Sequence, residues 1–352
     1  MKILSTLSIL CLLPLSGGQI YTDYTGEETL RIECETTVFL ETIDFSMERN
    51  GEPVESRGGL GGGDVELTRI VVQLDRVVAH ADDLPTEVER SFESVSGEAM
   101  YGGEGRSLDA PLDGVTLKLT LDGDGEAQAE ADGGAVDDGQ LQGHELTLAL
   151  DALFPDDEVE PGDSWEIDGD ALMHALGLDL EEVLFPLPEP EERSSGEGGR
   201  GRGRGGPRGN PFARLTKGAE WEVTVRLTDE TSSVGGFDCL VLEFEAEASG
   251  TLEDPVRSGG GRGRAFGSAL APALASGLAS GLASAAALDT EFQIDLKGQL
   301  DYSSELHRPL QLVVEGSFDM ERASSFERGE MTMAIYQLQE GTFDQKVTIS
   351  VE

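Results

Sequence analysis

Apolar and polar residues alternate along most of this chain, and the alternation predicts β-strands. From Glu28 to Phe45, Leu30, Ile32, Cys34, Val38 and Leu40 fall on one side and Arg31, Glu33, Glu35 and Glu41 on the other. That is a long strand with one wet face. Val65 to Ala81 alternates more weakly, through Ile70, Val72 and Leu74, and Glu87 to Ser96 continues in the same manner. Val115, Leu117, Leu119 and Leu121 form one face of a strand that runs into Asp122-Gly123-Asp124-Gly125. Asp and Gly tolerate the backbone angles of a hairpin turn, so Glu126 to Glu130 is the return strand, with Ala127 and Ala129 inward. Trp221, Val223, Val225 and Leu227 predict another strand. Gly235-Gly236 turns the chain, and Leu240, Leu242, Phe244 and Ala246 complete a hairpin. Phe292 to Lys297, Leu310 to Phe318 and Met331 to Val351 supply the last strands.

Helical periodicity is confined to short stretches. Leu141 to Leu150 reads as a strand or a short helix. Asp170 can cap a helix through Ala171, Leu172, Ala175 and Leu176 that Gly177 ends, and a further turn is expected from Leu180 to Phe185 before Pro186, Pro188 and Pro190. Arg57 to Gly63 is a flexible connection. Gly and Arg dominate 190–212, which has too little apolar surface to fold and is expected to be disordered. A second low-complexity insertion spans 255–288. Its uncharged part repeats Gly-Leu-Ala-Ser and carries Leu270, Leu274, Leu278 and Leu282 at intervals of four. It reads as an insertion, a partner-binding helix or a membrane span, and Pro272 with several Gly and Ser residues argues against the span. The fold class is mainly β: a large antiparallel curved sheet or open barrel with a short helical excursion and Gly/Arg-rich insertions. Residues 19–352 form one domain.

The N-terminus adds a compartment. Ile3 to Leu15 is an apolar run of signal-peptide length ending at Ser16-Gly17-Gly18, which predicts a signal peptide over 1–18 and cleavage before Gln19. The run is shorter than the about 20 residues a membrane span needs. The expectation is an exported protein of the periplasm, cell envelope or extracellular space, with no stable span after cleavage. In that oxidising setting Cys34 and Cys239 are a candidate disulfide, with two separate buried thiols as the alternative. The chain holds 69 acidic and 25 basic residues, a net charge of −44, which disfavours nucleic acid and anionic membranes as partners.

Known catalytic spacings fail on particular residues. His144-Glu145 begins a zinc-protease signature, but Leu148 stands where the second His belongs. Gly162-Asp163-Ser164-Trp165-Glu166 has Glu166 in place of a nucleophile elbow's closing Gly. Asp122 to Glu126 starts like a calcium loop and lacks its later Gly and Glu. His80, His144, His174 and His307 show no ligand spacing. No catalytic residue, metal ligand or cofactor-binding residue is assigned.

Leu150-x-x-Leu153-Phe154-Pro155 followed by Val159-x-Pro161-Gly162-Asp163-Ser164-Trp165 resembles a phrase in uncharacterised exported bacterial proteins. No activity comes with that family, so the resemblance implies none here. Within the phrase, Gly162 and Asp163 read as a structural turn and Trp165 as an apolar plug seating the next strand. The function expected is a non-enzymatic envelope or secreted protein whose curved sheet binds an apolar small molecule or an envelope protein. The alternative is a hydrolase acting on extracellular polymers through acidic residues.

Overall fold

The first and last strands pair in the middle of one antiparallel sheet. In a computed structural model, which describes residues 19–26, 28–54, 64–132, 136–186, 210–254, 288–328 and 331–352, the strands are β1 (Thr29–Arg49), β2 (Glu52–Pro53), β3 (Val65–Ala81), β4 (Leu84–Tyr101), β5 (Glu104–Ser107), β6 (Thr116–Leu121), β7 (Ala127–Ala131), β8 (Ser164–Ile167), β9 (Glu220–Val234), β10 (Phe237–Asp254), β11 (Leu288–Ser303), β12 (Arg308–Arg328) and β13 (Met331–Val351). Their order is β7-β6-β4-β3-β1-β13-β12-β11-β10-β9-β8, with β2 and β5 as short additions to β1 and β4. Each half is therefore a meander of sequence neighbours running outward from the central β1–β13 pair. The sheet does not close into a barrel.

One face of the sheet carries the core. Leu30, Val38 and Leu40 of β1 are buried together with Phe343, Val347 and Ile349 of β13. This face is covered by short elements: 3-10 turns at Asp138–Gln140 and Ala149–Leu153, and helices α1 (Gly169–Ala175), α2 (Glu181–Leu184) and α3 (Pro211–Thr216). The segment from Ile20 to Tyr24 lies there too, with Ile20, Thr22 and Tyr24 buried. No helix among the described residues is long and apolar enough to cross a membrane.

On the β9–β13 side, phenylalanines lie over glycines directly opposite them: Phe244 on Gly298, Phe292 on Gly250 and Phe318 on Gly341. A Cβ on Gly298 would sit 2.0 Å from the Phe244 ring, so only glycine leaves the room that ring occupies. α3 then drops Phe212 onto this layer, stacked on Phe343 at 4.4 Å and tilted against Phe318 at 5.3 Å between ring centres.

Several expectations need correction. The β3 face turned towards the cap is Val65, Leu67, Arg69, Val71, Gln73 and Asp75, whereas Ile70, Val72 and Leu74, which carry the alternation in the sequence, lie on the opposite face, where Val72 is nonetheless buried. Pairing with β1 sets this, because Cys34 stands opposite Val71 and Thr36 opposite Arg69. Ala127 is exposed rather than inward. The cap of α1 is Asp168, whose carboxylate accepts the Ala171 N–H at 2.7 Å, rather than Asp170. Asn210, Pro211 and Phe212, assigned to the first insertion, begin α3; Asn210 caps it by accepting the Phe212 N–H at 3.0 Å. Leu288, assigned to the second insertion, begins β11.

Cys34 and Cys239 are both free. Cys34 is on β1 and Cys239 on β10, with β13, β12 and β11 between them. Four strand spacings come to roughly 19 Å along the sheet, far beyond the 7 Å or so that a disulfide can span between Cα atoms. The signal peptide expected at 1–18, the Arg57 to Gly63 connection and the bulk of both low-complexity insertions lie outside the described residues.

Candidate binding site

The cap does not fill the core face everywhere. Between it and strands β1, β3, β4 and β13 is a cavity of about 130 Å³. Its floor is laid out by strand register. Gln345, Thr36 and Arg69 form one row across β13, β1 and β3; Val347, Cys34 and Val71 form the next, and Ile349, Ile32 and Gln73 the third. Asp75 and Arg90, directly opposite each other on β3 and β4, close that end of the floor. The roof is mainly apolar: Leu148, Leu150, Leu176, Leu178, Leu184 and Phe185 face the floor.

Three polar links tie roof to floor or fix the floor. Arg69 forms a salt bridge with Glu181 of α2, both side chains nearly fully buried, and its guanidinium lies 5.0 Å from the centre of the Phe185 ring. Gln345 donates from Nε2 to the Leu176 carbonyl at 2.9 Å and to Thr36 Oγ1 at 3.2 Å. The Leu176 carbonyl is free for this because α1 ends at Gly177, whose φ of +63° turns the chain away. Arg90 grips Asp75 with two bonds, Nε to Oδ1 at 2.8 Å and Nη2 to Oδ2 at 2.7 Å. Bidentate pairs of this kind are the strong form of the arginine–carboxylate contact.

Several titratable groups sit in or beside the roof. His174 holds Asp179 Oδ2 with Nδ1 at 2.8 Å and has Glu145 Oε2 3.2 Å from Nε2. The Asp179 bond, with both carboxylates, raises its pKa above the usual histidine value. His144 is moved the other way, to about 4, by burial and by the nearby Arg90 charge. Asp151 accepts Thr22 Oγ1 at 2.6 Å and the Tyr24 hydroxyl, clasping the N-terminal segment to the 3-10 turn. Burial nevertheless pushes its carboxyl up to about 6. Burial also raises the Cys34 thiol, so this thiol is protonated and unreactive at neutral pH.

The residues singled out from sequence lie elsewhere. Gly162, with a φ of +100°, donates its N–H to the Leu227 carbonyl at 2.7 Å, and Leu227 N–H returns to the Asp163 carbonyl at 3.0 Å. The Asp163 carboxylate accepts the Glu160 N–H at 2.8 Å, and Trp165 Nε1 donates to the Leu153 carbonyl at 3.1 Å. The phrase is a corner that fastens β8 to β9. Trp165 is only half-buried, so it is less of a plug than its size suggested. Asp163 and Trp165 also line a separate open cleft of about 660 Å³ with Asp156, Asp157, Glu166 and Asp168. Of the sequence-assigned residues, Cys34 alone reaches the capped cavity. Among the described residues, no three His, Cys, Asp or Glu side chains are arranged to hold a metal ion.

Arg69, Asp75, Arg90, Glu181 and Gln345 were not found from sequence. The available signal was a break in alternation: Arg69, Gln73 and Asp75 recur at every second or fourth position with Leu67 and Val71, on a face otherwise apolar.

No family model matches the chain, and no curated protein matches it. Among solved structures it is similar to one of lipid–protein interactions in lipovitellin, at 8% identity and a TM-score of 0.32, covering 94% of this chain and 26% of that one. It is also similar to the high-pH structure of Pseudomonas putida OprB, at 7% identity and a TM-score of 0.18, covering 94% and 99%. The chain thus spans about a quarter of the lipovitellin chain, and likenesses of this strength carry no functional argument.

Proposed function

We propose that the protein is an exported, non-enzymatic binding protein of the bacterial envelope or its surroundings, taking a small, mainly apolar molecule between sheet and helical cap. The observation that carries the reading is the cavity of about 130 Å³ with apolar side chains on both walls. Close-packed interiors rarely leave such space. Size decides what kind of ligand fits. A cavity of about 150 Å³ takes benzene or xenon, whereas pockets for larger ligands run to about 300–1,000 Å³. A single ring or short chain is therefore favoured over a lipid. Export rests on the apolar run Ile3 to Leu15 and the small residues that follow it.

Calorimetric titration of the mature protein with toluene, cyclohexanol and a long-chain fatty acid tests the reading. Binding of the two small probes is expected, and no binding by either would remove it.

The acidic cleft beside Trp165 supports the second reading, a polymer hydrolase, because it sets carboxylates next to a partly exposed indole. Against it, Asp163 and Asp168 already accept backbone N–H groups. That leaves Asp156, Asp157 and Glu166 as the carboxylates able to do acid–base work. A blank screen against polysaccharides and peptides would sink this reading.

A further inference from the structure

The cavity floor carries two polar atoms that its own side chains leave unpaired. Arg69 spends its Nη1 on Glu181, while its Nε–H finds no hydrogen-bond partner among the described residues. Gln345 spends its amide NH2 on Leu176 and Thr36, while its Oε1 likewise finds none. Arg69 is 5% and Gln345 4% exposed, so bulk water does not serve these atoms. Buried polar groups in native proteins are nearly always paired, and an unpaired donor and an unpaired acceptor in one cavity wall call for a partner able to meet both. The two residues stand in the same row of the sheet, each directly opposite Thr36.

Charge narrows the partner further. Both arginines in the cavity wall already face carboxylates, Arg69 with Glu181 and Arg90 with Asp75. Glu145 and His174 also line the wall, 3.2 Å apart, so no cationic side chain there is left without a carboxylate, and an added anion would be buried without a counterion, which is strongly unfavourable. Volume restricts the ligand to about the size of one aromatic ring.

We propose that the cavity takes a neutral, single-ring-sized molecule bearing one hydroxyl, which accepts from Arg69 Nε–H and donates to Gln345 Oε1, while its ring lies against Val71, Val347, Leu176 and Phe185. The proposal rests on the small-ligand reading above and adds the polar group to it. A hydroxyl meets both orphan atoms because it is donor and acceptor at once.

The test is titration calorimetry of the mature protein at neutral pH with toluene, phenol and benzoate. Toluene and phenol are nearly equal in size and differ in the hydroxyl; benzoate adds a charge. Phenol is expected to bind at least about tenfold tighter than toluene, and benzoate more weakly than phenol. Arg69→Lys keeps a cation opposite Glu181 and drops the Nε donor; Gln345→Met keeps the length and drops the acceptor together with the Nε2 bonds to Leu176 and Thr36. In both variants the preference for phenol over toluene should disappear, and the toluene value, read for each variant, reports whether its cavity is intact. Equal binding of toluene and phenol by the unaltered protein would overturn this inference and leave the small-ligand reading standing. Tightest binding of benzoate would overturn the neutrality argument. Variants that lose toluene and phenol alike would show that the two residues only hold the cavity's shape. Failure of all three probes would overturn the small-ligand reading itself.

Discussion

The two halves of the sheet solve the same packing problem differently. Between β9 and β13, phenyl rings sit on facing glycines and α3 seals them with Phe212, so the core face is filled. Between β4, β1 and the end of β13, the floor spends interior positions on Arg69, Gln73, Asp75, Arg90 and Gln345 and leaves about 130 Å³ beneath the cap. A sequence under pressure for stability alone has no reason to do this. Buried ion pairs rarely stabilise relative to well-packed apolar residues of the same volume, and unfilled volume costs stability. The filled half therefore holds the fold, and the hollow half is where a ligand-binding role is to be sought.

The sharpest break of this comparison removes an anchor from each half. Phe212→Ala should destabilise by about 3–5 kcal/mol, the usual cost of deleting a fully buried aromatic ring, read as a shift in urea midpoint. Glu181→Ala should cost about as much for a different reason, because it leaves the Arg69 charge buried and unpaired. Replacing the pair together, Arg69→Met with Glu181→Leu, should return stability to within about 1 kcal/mol of the starting protein. A double variant as unstable as Glu181→Ala would mean that the pair itself holds the cap.

Adding atoms separates the halves more gently. A Cβ on Gly341 would lie 2.6 Å from the Phe39 carbonyl oxygen and 2.3 Å from the Phe318 ring. Gly341→Ala should accordingly cost about 1–3 kcal/mol by overpacking. Val71→Ile, which adds a methylene beside the cavity, should change stability by less than about 1 kcal/mol in either direction. Similar losses at both sites, in thermal melts, would erase the distinction between filled and hollow halves.

The smallest net effect is a pH slope in the hollow half, where the two largest contributions oppose each other. His144, at about 4 when folded against 6.5 when free, stays neutral in the fold, so its contribution grows as pH rises from about 4 to 6.5. Asp151, at about 6 against 3.8, favours its protonated form in the fold, so its contribution is lost as pH rises from about 4 to 6. His174, raised by Asp179, adds to the downward side: its contribution is present below 6.5 and lost above its folded pKa. For His144 and Asp151 the free energy at stake is at most about 3 kcal/mol each, and over pH 4 to 6 the two oppose one another. Asp151→Asn should expose the His144 slope, making stability climb between pH 4.5 and 6.5. His144→Gln should tilt it the other way. Urea midpoints at the two pH values check this, and parallel lines for all three proteins would contradict it.

Much of the frame was legible because the strands are long. Val65 to Ala81 and Met331 to Val351 coincide with β3 and β13, since alternation over such lengths is hard to imitate by chance. The cavity was not legible. Which face of β3 is inward depends on pairing with β1, a tertiary fact, and Arg69 and Asp75 look like any wet-face charge until that pairing is known. The Phe–Gly layer was hidden for a similar reason: Gly298 meets Phe244 only through the β10–β11 register. The α1 cap moved from Asp170 to Asp168 because both are acidic and only the backbone geometry distinguishes them.

Diffraction from crystals of the protein pressurised with xenon separates the hollow half from the filled one at a stroke. A xenon site is expected between Val71, Val347 and Leu176 beneath the cap, with none among the phenylalanine–glycine pairs of the other half. Xenon absent from beneath the cap, or bound among those pairs instead, would contradict the division of the sheet into a filled half that holds the fold and a hollow half proposed to take a ligand.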